Sequence, residues 1–166
     1  MKILLLSFYD LGKQPKIISE LHQKLNNGTN EIDIVDYSVE EKALNLKDYD
    51  ALGVYASMHT ASVLAEEYLR DKELPSKLFV FGLYAKVFTE MFQDFEVIQN
   101  LENGDLESLL NIQLNEDYSF KHSVPDRTVL PSITDYSHIV DGSNNLIAGS
   151  VETTNGCKHE CTHCPV

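Results

Sequence analysis

The three cysteines of this 166-residue chain all lie in one stretch, "GCKHECTHCPV", at residues 156–166. Cys157, Cys161 and Cys164 have the spacing C-x3-C-x2-C. Thiolates at that spacing can converge from one loop on a single soft metal centre. Three cysteines cannot complete a four-thiolate cage, so one coordination position has to come from elsewhere. In an iron–sulfur cluster, an open iron is a place for a substrate or cofactor to bind. Alternatively, His159 or His163 completes a Cys3His zinc site. An odd number of clustered cysteines is a poor disulfide framework, and a reducing cytoplasm is the expected compartment.

The elements ahead of the cysteines read as alternating strands and helices. Residues 2–8 form a continuous apolar run, as expected for a strand buried on both faces. The turn "YDLGKQP" follows, with Pro15 where a helix begins. Ile17, Ile18, Leu21 and Leu25 recur at helical spacing, and "NNG" at 26–28 ends that helix. Further strands are expected at 31–36, 51–56, 77–81 and 96–99, and helices at 59–72, 86–92 and 105–112. This alternation predicts an α/β fold, a doubly wound five-stranded parallel sheet covered on both faces. The flavodoxin-like order 2-1-3-4-5 is the expected topology.

Composition shifts near Leu114. Residues 114–137 hold Pro125, Pro131 and many polar residues without periodicity, and read as an extended linker crossing a surface. Then "HIVDGSNNLIAGSVET" places a turn cluster at 141–145 between apolar runs, a hairpin pattern. Its second strand, 146–153, leads directly to the cysteines. The expected organisation is an α/β domain at 1–113, a linker at 114–137, and a hairpin with the cysteine loop at 138–166.

Bulk properties narrow the function classes. With 43% hydrophobic and 23% charged residues, the chain can bury a core and wholesale disorder is not expected. A formal net charge of −13 argues against nucleic acid or an anionic membrane surface as partner, since both need basic patches. "KILLLSF" is too short for a secretory signal and lacks a cleavage site, so a buried strand explains it better. No apolar run approaches membrane-spanning length.

A C-x3-C-x2-C loop following a strand, with Gly156 before it and Pro165 after it, resembles the signature of radical S-adenosylmethionine (SAM) enzymes. The resemblance implies that Cys157, Cys161 and Cys164 hold a 4Fe–4S cluster whose fourth iron chelates S-adenosylmethionine. It further implies reductive cleavage of SAM to a 5'-deoxyadenosyl radical, with a reductant such as flavodoxin or ferredoxin. In that family the signature follows the first strand of an α/β barrel, so residues 146–153 are the expected first barrel strand. The rest of the barrel is expected in a longer protein. His163 stands where the family often has an aromatic.

The domain in front is similar to the cobalamin-binding domain of B12-dependent radical SAM proteins. The pieces that carry the likeness are "YDLGKQP", "MHTAS", "FGLYA" and the linker "PDRTVLPSITDY". In an open parallel sheet, ligands bind beyond the carboxyl ends of the strands. The first, third and fourth loops bring Tyr9, Asp10, Leu11, Gly12, Lys13 and Gln14, then Ser57, Met58, His59 and Thr60, then Gly82, Leu83 and Tyr84 to that edge. Glu102 follows strand five. The resemblance implies that these residues hold cobalamin, with Gly12 and Gly82 letting the backbone approach a flat ligand. The chemistry implied is radical-initiated, with methyl transfer through the corrinoid to a small-molecule or peptide substrate.

The family's usual Asp-x-His-x-x-Gly loop is here Asp10-Leu11-Gly12, without the cobalt-ligating histidine. His59 in the neighbouring loop either approaches the corrin or makes local hydrogen bonds at a helix start. Thr60 either binds ligand or caps that helix, and Tyr84 either stacks on a ring or packs on the domain edge. His22, His122 and His138 read as surface or interdomain residues. Two other assignments stay open: a front domain that no longer binds cobalamin, and a non-enzymatic flavodoxin-like module with a zinc tail. A receiver domain is excluded, because Ser57 stands where a phosphoacceptor aspartate is needed. A flavin-phosphate loop, rich in Ser, Thr and Gly, matches "YDLGKQP" weakly.

Overall fold

A computed structural model describes residues 1–86 and 93–150. Five parallel strands form one sheet: β1 (Lys2–Ser7), β2 (Glu31–Asp36), β3 (Ala51–Tyr55), β4 (Lys77–Phe81) and β5 (Glu96–Ile98). Their order is β2-β1-β3-β4-β5, the flavodoxin-like arrangement of a doubly wound sheet. Three helices accompany it among the described residues, α1 (Lys16–Leu25), α2 (His59–Leu69) and α3 (Asp105–Leu110). A separate antiparallel hairpin follows, β6 (His138–Asp141) with β7 (Asn144–Ile147).

Period-two alternation in β1 explains the two cores. Leu4, Leu6 and Phe8 face one side, with Val54, Val80, Ala65 and Leu69 of α2. Ile3 and Leu5 face the other, with Phe79, Phe81, Ile18, Leu21 and Leu25 of α1, and Leu106 and Leu110 of α3. A strand buried on both faces has to be apolar throughout, which is why "ILLL" has no polar interruption.

Several boundaries differ from the sequence reading. The first helix begins after Pro15, which is its N-cap. The second ends at Leu69 instead of 72, because Arg70 leaves helical geometry and Asp71 adopts φ +61°. The third ends at Leu110, with Asn111 in the left-handed region at φ +55°. Strand β7 stops at Ile147, and residues 148–150 are not in a strand, so the strand expected at 146–153 is shorter on the described residues. Most of the helix expected at 86–92, the end of that strand and all three cysteines lie outside the described residues.

Residues 111–137 are irregular, with two 3-10 turns, at Arg127–Val129 and Ile133–Asp135. They are nonetheless anchored. Leu114, Tyr118, Leu130 and Tyr136 are buried. Asn115 N–H donates to the Lys24 carbonyl, and Lys24 Nζ donates back to the Asn115 and Tyr118 carbonyls. Tyr136 donates to the buried Asp36 carboxylate at 2.9 Å. The segment therefore runs along α1 and then crosses the carboxyl edge of the sheet.

His22, read as a surface or interdomain residue, lies half-buried in this seam. Its Nδ1 is buried without a hydrogen-bond partner among the described residues, and so is the Tyr118 hydroxyl. Burial pushes the His22 pKa below 6.5, and nearby Asp126 offsets only part of this. The unfolded chain then binds the proton more tightly than the folded one. The contribution of neutral His22 is present above the unfolded value near 6.5 and is lost as pH falls towards the lower folded value. Urea unfolding at about pH 7.5 and about pH 5.5 checks this, because carboxylates remain mostly ionised over that interval. The midpoint is expected to fall, and a His22→Gln variant is expected to lose part of that slope. An unchanged slope in the variant would remove His22 from the account.

Candidate functional site

A cleft lies at the carboxyl edge of the sheet, where an open α/β fold leaves strand-end loops free to bind. It encloses about 770 Å³, within the range of small-molecule sites. Tyr55, Phe81 and Ile98 from the ends of β3, β4 and β5 give it an apolar floor. Asp10, Lys13 and Gln14 after β1 form one wall, with Lys16, Ile17 and Glu20 at the start of α1. Gly82 and Leu83 after β4, and residues 99–102 after β5, form the opposite wall. Phe120, Arg127 and Ser150 close it from the trailing segment.

The sheet thus brings together six of the residues singled out by sequence: Asp10, Lys13, Gln14, Gly82, Leu83 and Glu102. Asp10 and Lys13 belong to one tight turn, with Lys13 N–H donating to the Asp10 carbonyl at 2.8 Å and the side chains paired at 3.8 Å. Gln14 is buried, and its Nε2 donates to the Pro131 carbonyl at 2.9 Å. Leu83 is exposed, and Glu102 N–H donates to Asn100 Oδ1 in the β5 loop.

The other candidates are not in the lining of that cleft. Leu11 is exposed in the β1 loop and, with Gly12, lines a smaller recess against Ser137 and residues 148–150. Ser57 is buried and donates its hydroxyl to the Tyr9 carbonyl, joining the β1 and β3 loops to each other. Met58, not Thr60, is the N-cap of α2, and no described side chain caps that helix. His59 and Thr60 are exposed on its first turn. Tyr84 packs against the core cluster on the α2 side and its N–H donates to the Ala56 carbonyl, so it serves domain packing.

Both glycines meet protein at close range. Gly12 has φ +70°, and a Cβ there would lie 1.8 Å from Ser137 Oγ. Ser137 N–H donates to the Gly12 carbonyl at 2.9 Å. The close approach expected of a flat ligand is thus made by the chain's own trailing segment. Gly82, at φ +107°, lies against the Ala56 carbonyl and the Tyr55 ring.

Sequence reasoning missed Lys16, Glu20, Phe120 and Arg127. Glu20 is buried and paired with Lys16 at 2.8 Å, a helical i,i+4 pair that periodicity could have flagged as charged on an otherwise buried face. Phe120 and Arg127 come from a segment without periodicity, so no local pattern marks them. Among the described residues, no group of three or more His, Cys, Asp or Glu is arranged to hold a metal ion. No described helix is long and apolar enough to cross a membrane.

No family model and no curated protein matches the chain. Among solved structures, it is similar to oxidised flavodoxin 1 from Bacillus cereus, at 17% identity over 67% of this chain and 93% of that one, with a TM-score of 0.46. The sheet order and the strand-end cleft, read from the chain itself, make the front part of this protein a flavodoxin-like α/β domain with a cleft where such domains bind ligands.

Proposed function

We propose that the chain is the front part of a radical SAM enzyme, in which a cobalamin-binding α/β domain precedes a cysteine loop that holds a 4Fe–4S cluster. One observation carries the reading. The segment that walls the strand-end cleft is the same segment that leads to C-x3-C-x2-C, with Ser150 on the cleft seven residues before Cys157. A cofactor in the cleft is then bound next to the chain that delivers the cluster ligands.

The residues present fit part of a corrinoid. The apolar floor of Tyr55, Phe81 and Ile98 suits a flat aromatic group, and the polar rim suits amides and a phosphate. No histidine lines the cleft among the described residues, so its walls would offer a corrinoid no imidazole ligand. When bound, the corrinoid supplies a transferable methyl group and the cluster supplies the electron that cleaves SAM. The thiolates of Cys157, Cys161 and Cys164 are soft donors of the kind such clusters take.

Anaerobic purification followed by iron, sulfide and zinc analysis tests the cysteine loop. Iron and acid-labile sulfide in equal amounts are expected, and Cys161→Ser is expected to lose most of both. Zinc without sulfide would sink the cluster assignment and support a Cys3His site.

A second reading, in which the front domain docks the rest of the enzyme and binds no cobalamin, is favoured by a specific contact. Ser137 sits on Gly12 and Tyr136 on Asp36, so the trailing segment already occupies the β1–β2 end of the carboxyl edge. Titration with hydroxocobalamin, then gel filtration, separates the two readings. Retained corrinoid supports the cofactor carrier, and clean separation from folded protein supports the docking module.

A further inference from the structure

We propose that Arg127 makes the strand-end cleft an oxyanion site, so that its ligand carries a phosphate ester or a carboxylate gripped by a guanidinium on the trailing segment. The proposal rests on reading this cleft as a ligand site and adds the class of ligand it takes.

Among the described residues, six charged side chains line the cleft: Asp10, Lys13, Lys16, Glu20, Glu102 and Arg127. Four of them are internally matched, as Lys13 with Asp10 at 3.8 Å and Lys16 with Glu20 at 2.8 Å. Arg127 is different. Among the described residues no carboxylate lies within ion-pair distance of it, and its guanidinium makes one long contact, 3.5 Å to Gln14 Oε1. In a chain of net charge −13, an arginine in a cleft without a carboxylate partner is conspicuous.

Its backbone is held firmly. Asp126 caps the turn by accepting from Thr128 N–H at 3.0 Å and from the Thr128 hydroxyl at 2.6 Å. Asp126 N–H donates to Gln23 Oε1 on α1 at 3.0 Å. On the other side, Leu130 is buried and Pro131 accepts from Gln14. Both flanks are anchored, while the planar five-donor fork stays available for bidentate bonding to an oxyanion. Glu102 on the opposite wall has no cation partner among the described residues, and its charge disfavours polyanions. A singly anionic group flanked by hydrogen-bond donors fits best.

Calorimetric titration of the full chain with cyclic adenosine monophosphate, a singly charged phosphodiester, and, separately, with benzoate tests this. The ester is expected to bind, more weakly as salt rises. Arg127→Gln is expected to weaken it about tenfold, as for loss of a charge-assisted bond, and Arg127→Lys by less. Benzoate binding that also depends on Arg127 would make the ligand a carboxylate and keep the oxyanion site. Unchanged binding by Arg127→Gln, or no binding of either probe by a chain with an intact thermal transition, overturns the proposal.

Hydroxocobalamin distinguishes it from the corrinoid reading. Corrinoid retention by parent and variant alike, with no Arg127-dependent ester binding, ends the Arg127 role and leaves the corrinoid. Arg127-dependent ester binding without corrinoid retention ends the corrinoid and leaves the oxyanion site.

Discussion

Phe79→Ala is expected to lower the stability of the domain by about 3–5 kcal/mol, the range for truncating a buried phenylalanine. That is a large share of the about 5–15 kcal/mol that holds an ordinary domain together. Phe79 is fully buried on β4, between β3 and β5. Its ring covers Gly53 of β3 so closely that a Cβ there would lie 2.4 Å from it. It also packs against Phe81, with ring centroids 6.0 Å apart. The missing ring leaves a hole that Gly53 cannot fill, since glycine has no side chain to move. Phe81 is part of the floor of the cleft, so a loosened β4 also loosens the ligand site. Urea unfolding followed by circular dichroism measures the loss. A change below about 1 kcal/mol would mean that the core relaxes around the cavity far more than packed interiors do.

Gly12→Ala is the second large effect, and it acts on the seam between the domain and its trailing segment. At φ +70° a residue with a Cβ is strained by about 1–3 kcal/mol. The new methyl would also meet Ser137, with the hydroxyl at 1.8 Å and its Cβ at 2.9 Å. The hydroxyl can rotate away, but the Cβ moves only if the backbone does. The Ser137 to Gly12 backbone bond and the nearby Tyr136 to Asp36 bond are then both disturbed. Hydrogen exchange is expected to rise at residues 131–137 while β1 and β3 stay protected. Uniform protection throughout would show that the segment is held by its other anchors, Gln14 with Pro131 and the buried Leu130.

The contrast between these two sites shows what was legible in advance. Phe79 lies in "KLFVF", an apolar run whose strand, Lys77–Phe81, has the bounds read from the sequence. Glu31–Asp36 and the starts of β3, α2, β5 and α3 were equally readable, because apolar spacing and helix starts are local properties. Alternation of strands and helices then restricted the order to a few choices, and the sheet adopts the expected one. The meaning of Gly12 was not legible. Its neighbour is Ser137, 125 positions away, and nothing near either residue encodes that meeting.

The same division applies to the candidate site. By itself, the sequence determined the parallel sheet, the loops that reach its carboxyl edge and a three-cysteine spacing suited to a soft metal. Those depend on periodicity and on side-chain chemistry within short windows. Only the tertiary structure decided that the β1, β4 and β5 loops share the cleft while Ser57, Met58, His59 and Thr60 stay outside its lining. It also decided that Arg127 closes the cleft and that Tyr136 buries its hydroxyl against Asp36. The physical reason is that the trailing segment is irregular. Its place is set by hydrogen bonds and buried side chains contributed by distant elements, and such contacts leave no repeating pattern in the segment that makes them.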